Sequence, residues 1–323
     1  MAITIAESAN ISQNMLYKGI VEELVKVCPI FDKLPFQTIE GNAVAINYED
    51  TADMGSMSWR APNSVWTEST ATFNQKSFSL KILGEDADVD NLIRKTRSNI
   101  NDQMASQVKI KTKLMGHSFE KAMVYGLSSG TNMPDGLHYF CNATIGNEIS
   151  AGTSGAGTSG VLTLDMLDRL CDKVARYAGS VDVLFMSRTM HRAINKYLRA
   201  NGSAQVGRDS YGNPVDIWSG IPIMISDIIN DDEGVSSGTP AVYDTETGKT
   251  TTAACTSIFA VHFGVGDGFV GIENGSIETE VWDKLEMKDA SRTRMKWYCG
   301  AALYKLNAVA CISGLDADGT VTA

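Results

Sequence analysis

The sequence predicts an α+β fold, on three observations. Two runs of period-2 alternation, in "QTIEGNAVAINYED" (residues 37–50) and "TFNQKSFSLKIL" (72–83), flank about twenty irregular residues. A proline-free stretch from Asp90 to Tyr125 then carries apolar residues at helical spacing. Beyond a Gly/Ser/Thr-rich junction at 152–160, helical and strand-like runs alternate. Strands set apart from one long helix, followed by a mixed unit, are the pattern of an α+β chain.

The chain has 323 residues, enough for one large domain or two modest ones with a substantial core. Hydrophobic residues make up 43% and charged residues 20%, an ordinary globular composition. A net charge of −10 argues against a chain built mainly to grip phosphates, though not against one that surrounds nucleic acid. No apolar run reaches the roughly 18 residues of a membrane span, and the N-terminus lacks the basic and apolar regions of a secretory signal. The six cysteines are scattered without a C-x-x-C pair, which reads as buried thiols of a reducing compartment.

The first element expected is an amphipathic helix over "SQNMLYKGIVEELVKVCP". Leu16, Ile20, Leu24 and Val27 form its stripe, Ser12 its N-cap and Pro29 its stop. The two alternating runs follow as a β-hairpin, with Val44, Ile46 and Tyr48 on one strand and Phe78, Leu80 and Ile82 on one face of the other. Its large tip holds Trp59 and Trp66 beside Arg60. A solvated loop rarely keeps two tryptophans exposed, so the tip is expected to dock on something. From Asp90 to Tyr125, thirty-six residues with Ile93, Ile100, Met104, Val108, Met115, Phe119 and Met123 on one stripe predict a rod of about 54 Å lying across a sheet. After the junction come a helix opened by Thr163, a buried strand "VDVLFMS", a helix closed by Gly202, a strand "GIPIMISDII" and a polar excursion at 230–253. Strands in "SIFAVHFGV", "GFVGIENGSIETEVW" and "RTRMKWYCGAALYKLNAVACISGL" complete the chain.

Several stretches imitate chemical motifs. "GVGDGFVGIEN" contains Gly266-x-Gly268-x-x-Gly271, the spacing of a dinucleotide-binding turn. Such a turn must open a helix whose N-terminus holds the pyrophosphate, and "FVGIENGSIETEVW" is β-branched and alternating. The glycines are therefore expected to make a strand-to-strand turn, with positive φ at Gly266 or Gly268. "TETGKTTT" lacks the first glycine of a phosphate loop, since position 243 is Tyr243. "GLDADGT" and "INDDEG" fall short of a calcium-ligand set. Four histidines lie far apart, and nothing in the pattern indicates a catalytic constellation, a metal or a cofactor. Arg188, Arg192, Lys196 and Arg199 share one helix face opposite Met190, Ile194 and Tyr197. That face reads as solvated, with contact to an acidic neighbour or to packaged nucleic acid as the sharper alternative.

The order of elements, together with "VDVLFMSRTMHRAINKYLRANG…DIWSGIPIMISDII", "SIFAVHFGVGDGFVGIENGSIETEVWDK" and "SRTRMKWYCGAALYKLNAVACI", resembles the major capsid proteins of tailed bacteriophages with the Hong Kong 97-type fold. The resemblance implies an N-terminal arm at 1–36 and an extended β-hairpin loop at 37–88. It implies a peripheral domain at 89–159 and 275–309 with its spine helix at about 90–125, and an α/β axial domain at 160–274 and 310–323. The glycine turn would then reverse two strands of the axial domain. The implied function is a non-enzymatic subunit that self-assembles into pentamers and hexamers of the icosahedral head. An encapsulin-type nanocompartment shell is the alternative, and a nucleotide-dependent enzyme the rival from another class. Implied partners are identical subunits, a portal, a separate scaffolding protein and packaged double-stranded DNA read without sequence specificity, with no membrane. The chain would be assembled in the host cytoplasm and end in the virion. No long scaffolding region is expected before the arm. Candidate inter-subunit residues are Leu16, Ile20, Leu24, Trp59, Arg60, Trp66, Arg292 and Arg294.

Overall fold

A computed structural model describes residues 30–49, 57, 59–66, 68, 70, 73–97, 103–128, 132–141, 147–151, 160–201, 206–208, 214–231, 233, 255–283, 285–317 and 321–322. The expected N-terminal helix with Leu16, Ile20 and Leu24 lies outside the described residues. So do the junction at 152–159 and most of the polar excursion, including the GKT stretch.

Two sheets organise the chain. The seven-stranded sheet runs β5 (Glu148–Ser150), β15 (Val309–Asp316), β11 (Cys255–Val261), β7 (Val183–Met186), β10 (Ile221–Ile225), β9 (Pro214–Trp218), β8 (Val206–Arg208). Its central strands are continuous apolar runs, and β7 and β11 are buried at every position, because both faces are covered. Leu184, Met186, Ile258, Ala260 and Ile312 face α5 (Leu164–Ala178) and α6 (Arg188–Ala200), which bury Leu167, Leu170, Val174, Met190 and Ile194 against them. The alternate residues Val183, Phe185, Phe259, Val261 and Cys311 enter a second core on the other side. Thr163 caps α5 by accepting from Met166 N at 3.2 Å, and Gly179, at φ 93°, ends it. Ser187 caps α6 in the same way, and Asn201 is its C-cap, the expected closing Gly202 lying outside the described residues.

The five-stranded sheet is built on the long strand β14 (Ala290–Leu303). The strand β4 (Lys81–Asp90) pairs along its first two-thirds, while β13 (Glu278–Trp282) and β12 (Phe269–Glu273) also pair with it, and β1 (Phe36–Thr38) adds parallel to β12. Across the face of this sheet lies the long helix α3 (Gln103–Tyr125). Met115, Phe119 and Met123, four residues apart, are buried beneath it, which is the stripe the periodicity predicts. Phe119 packs tilted on Trp297 of β14 at 4.8 Å and stacks on Phe31 of the short helix α1 (Ile30–Lys33) at 5.0 Å. One aromatic cluster thus ties the chain entry, the long helix and the sheet together.

Two expectations are corrected. The predicted helix starts only after Asp90, where β4 ends: the Asp90 carboxylate accepts from Leu92 N at 2.8 Å at the start of α2 (Asn91–Arg97), and residues 98–102 lie outside the described residues. The regular helix that follows has 23 residues, about 35 Å. Phe78, Leu80 and Ile82 do not share a face. The hairpin strand β3 (Phe73–Ser79), paired with β2 (Ala43–Glu49), ends before Leu80, and β4 then joins the other sheet. Phe78 is buried, whereas Ile82 is 74% exposed.

Candidate assembly surfaces

The hairpin anchors its base and exposes its tip. Tyr48 is buried and its hydroxyl donates to the Leu303 carbonyl, with burial pushing the phenol up to about 12. Phe78 packs edge-on against Phe140 at 5.9 Å. Further out, Trp59 is 101% and Trp66 61% exposed, joined by exposed Met57, Val65 and Phe73. The tip has internal order. Arg60 lies over the Trp66 ring at 5.3 Å and donates to the Ser64 carbonyl at 2.9 Å, while Asn63 takes φ 67° within the turn.

Arg292 and Arg294 have partners within the chain. On β14 they alternate with Thr293, Met295 and Trp297, which face the long helix, so both guanidinium groups lie on the outer face of the sheet. There Arg292 forks onto Asp88 at 2.6 and 2.8 Å, and Arg294 onto Asp86 at 2.6 and 2.9 Å, directly across the β4 pairing. From the other edge, Glu280 and Glu278 reach Lys296 at 2.6 and 3.0 Å, and the Trp282 ring lies under Arg294 at 5.0 Å. The hydrogen bonds from Arg294 and Arg292 hold the Asp86 and Asp88 carboxyls below their ordinary range. The expected inter-subunit role thus meets an acid–base ladder that clamps three strands. Alternation in "EDADVD" against "SRTRMK" was the signal for it. Sequence reasoning also missed the exposed apolar group Ile277, Val281, Trp282 and Met287, at and beside the edge strand β13.

The glycine turn has the conformation foreseen but another destination. Gly266 takes φ 95°, whereas Gly268 does not have positive φ. An added Cβ on Gly268 would meet Gly264 N, His262 O and Phe263 C at 2.5–2.8 Å, so backbone fills the space. No helix follows. The strands it joins do not reverse within one axial sheet: β11 belongs to the seven-stranded sheet and β12 to the five-stranded one. The turn carries the chain between sheets, and Gly271 lets β12 approach Phe36, whose ring lies 2.8 Å from where a Cβ would sit.

Close by, the long helix is fastened to the seven-stranded sheet through a buried carboxylate. Tyr125 and Ser257 hydroxyls each donate to Glu233 at 2.5 Å, and His138 Nε2 lies 3.6 Å away. Burial and the Glu233 charge push the Tyr125 phenol well up. On α6, Arg188, Arg192, Lys196 and Arg199 are exposed opposite buried Met190, Ala193, Ile194 and Leu198. Arg188 forks onto Asp227 at 3.0 Å.

A hairpin with an apolar tip, a long helix crossing a sheet and a separate α/β unit define a shell protein of the Hong Kong 97-type fold. A sequence profile of the SU10 major capsid protein matches residues 43–244, and the chain belongs to that family. No curated protein sequence matches it. Among solved structures it is similar to the holo-SrpI encapsulin complex from Synechococcus elongatus PCC 7942, with TM-score 0.68, 16% identity and coverage of 100% of this chain and 99% of the other. The capsid of Myoviridae phage XM1 gives TM-score 0.63 and 11% identity, covering 98% and 99%. The capsid of a native GTA particle gives 0.59 and 13%, covering 97% and 100%.

Proposed function

We propose that this major capsid protein self-assembles, without catalysis, into the pentamers and hexamers of a tailed-phage head that holds double-stranded DNA. The observation that carries the reading is the exposed, internally ordered hairpin tip around Trp59 and Trp66, in a chain whose family forms capsids. Such apolar area is stabilised by burial on a second copy, which converts a loop into an inter-subunit bond. Portal and a separate scaffolding protein are further partners on this reading.

The proposed division follows the two sheets. The arm is 1–36, the extended loop the hairpin beyond it, and the five-stranded sheet with α3 the peripheral domain. The seven-stranded sheet with α5 and α6 is the axial domain. Residues 269–274 go with the peripheral part, because β12 pairs with β14.

Likeness to an encapsulin supports a second reading, a compartment filled with protein. Electron microscopy of the purified full chain, with analysis of the particle contents, tests both. Closed shells that package DNA in the presence of portal and packaging machinery are expected. Shells that load only a protein cargo would favour the compartment, and a persistent monomer would overturn both.

A further inference from the structure

The outer face of α6 concentrates positive charge that the described residues around it leave largely unanswered. Its 13 residues include Arg188, Arg192, Lys196 and Arg199 and no carboxylate. At 3.6 residues per turn these four fall within an arc of about 80°, opposite the buried face. Two nearby acids are already engaged. Asp227 is taken by Arg188, and Asp216 accepts from Asn195 at 2.6 Å with His191 Nε2 at 2.8 Å. Arg192, Lys196 and Arg199 are exposed and make no ion pair with a described residue. Several cations elsewhere are neutralised: Arg292, Arg294, Lys296 and Lys111 each sit against a carboxylate.

The chemistry of the face selects the partner. Protein interfaces are organised around an apolar centre. Among the described residues, none of the large exposed apolar side chains lies on α6, whereas most of them lie at the hairpin tip or around the edge strand β13. A polyanion requires only the cations. From Arg192 to Arg199 the helix rises about 10 Å, a length over which duplex DNA carries about six phosphate charges.

We propose that Arg192, Lys196 and Arg199 form a docking stripe for the phosphate backbone of double-stranded DNA, with no reading of bases. The proposal rests on the reading of the shell as a DNA container and assigns the contact to one helix of the wall. In a chain of net charge −10, such a stripe confines DNA contact to a line and leaves the remaining wall repulsive.

The test is fluorescence anisotropy of a labelled 24-base-pair duplex titrated with the full chain before assembly, from 50 to 200 mM NaCl. Three neutralised phosphates give a salt slope of about −2.7, a loss of about 40-fold in affinity across that range. The R192E/K196E/R199E variant is expected to lose duplex binding at 50 mM salt. A control, K33E/K95E/K305E, makes the same change in net charge at exposed lysines away from α6 and is expected to keep it. Binding absent from the wild type, kept by the stripe variant, or lost equally by both variants would overturn the proposal. So would a stripe variant that binds DNA normally but no longer assembles, because its partner would then be a protein. Failure of the wild type to form shells in a parallel assembly assay would instead strike the capsid reading.

Discussion

Replacing Trp59 by alanine separates folding from assembly. Trp59 is 101% exposed and touches nothing that the fold depends on, so its loss should change subunit stability by no more than about 0.5 kcal/mol. A tryptophan buried on a neighbour removes about 150–250 Å² from water, worth about 4–6 kcal/mol at 25 cal/mol per Å². Ordering the side chain costs about 0.5–1.5 kcal/mol. The net of about 3–5 kcal/mol corresponds to a rise of roughly two to four orders of magnitude in the concentration needed for assembly. Trp66, 61% exposed and covered on one side by Arg60, should contribute proportionally less. The assay is light scattering against subunit concentration, paired with urea unfolding of the unassembled chain. A fall in unfolding free energy above 1 kcal/mol, or shells at the wild-type concentration, would refute the reasoning.

Three other outcomes are expected. Gly268→Ala should destabilise the subunit by about 3 kcal/mol, because its Cβ meets only backbone. Gly266→Ala, with open space but φ 95°, should cost about 1 kcal/mol, and urea midpoints compare the two. Phe119→Ala should cost about 3–5 kcal/mol in the same measurement, because the ring is 1% exposed among Phe31, Phe36 and Trp297. The ladder predicts acid sensitivity: Asp86 and Asp88 have folded pKa values below the ordinary 3.8, so their contribution is complete above that value and is lost as pH falls through the folded pKa. In a D86N/D88N variant the decline of stability below about pH 4 should therefore be shallower, read as urea midpoints at pH 3 and pH 6.

Much of the fold was legible because its signals are local. Thr163 as a cap, the apolar strand 183–186, the 115–119–123 stripe and the exposed cations of α6 follow from spacing alone. The apolar content of the tip was also visible, since its two tryptophans stand in an otherwise polar loop. The intrachain partners of Arg292 and Arg294 were not legible, for a physical reason. Their carboxylate partners lie 204 and 208 positions earlier, and only strand register places them opposite.

The Gly266-x-Gly268-x-x-Gly271 turn shows the same division. The sequence by itself determined that no helix follows, and hence that no pyrophosphate cradle opens there, because helical periodicity is written in neighbouring residues. Only the tertiary structure decided where the chain goes next. Strand β12 has no local preference between the two sheets. It joins the five-stranded one, where Phe269 to Glu273 find their hydrogen-bonding partners on Cys299 to Leu303 and Gly271 admits Phe36.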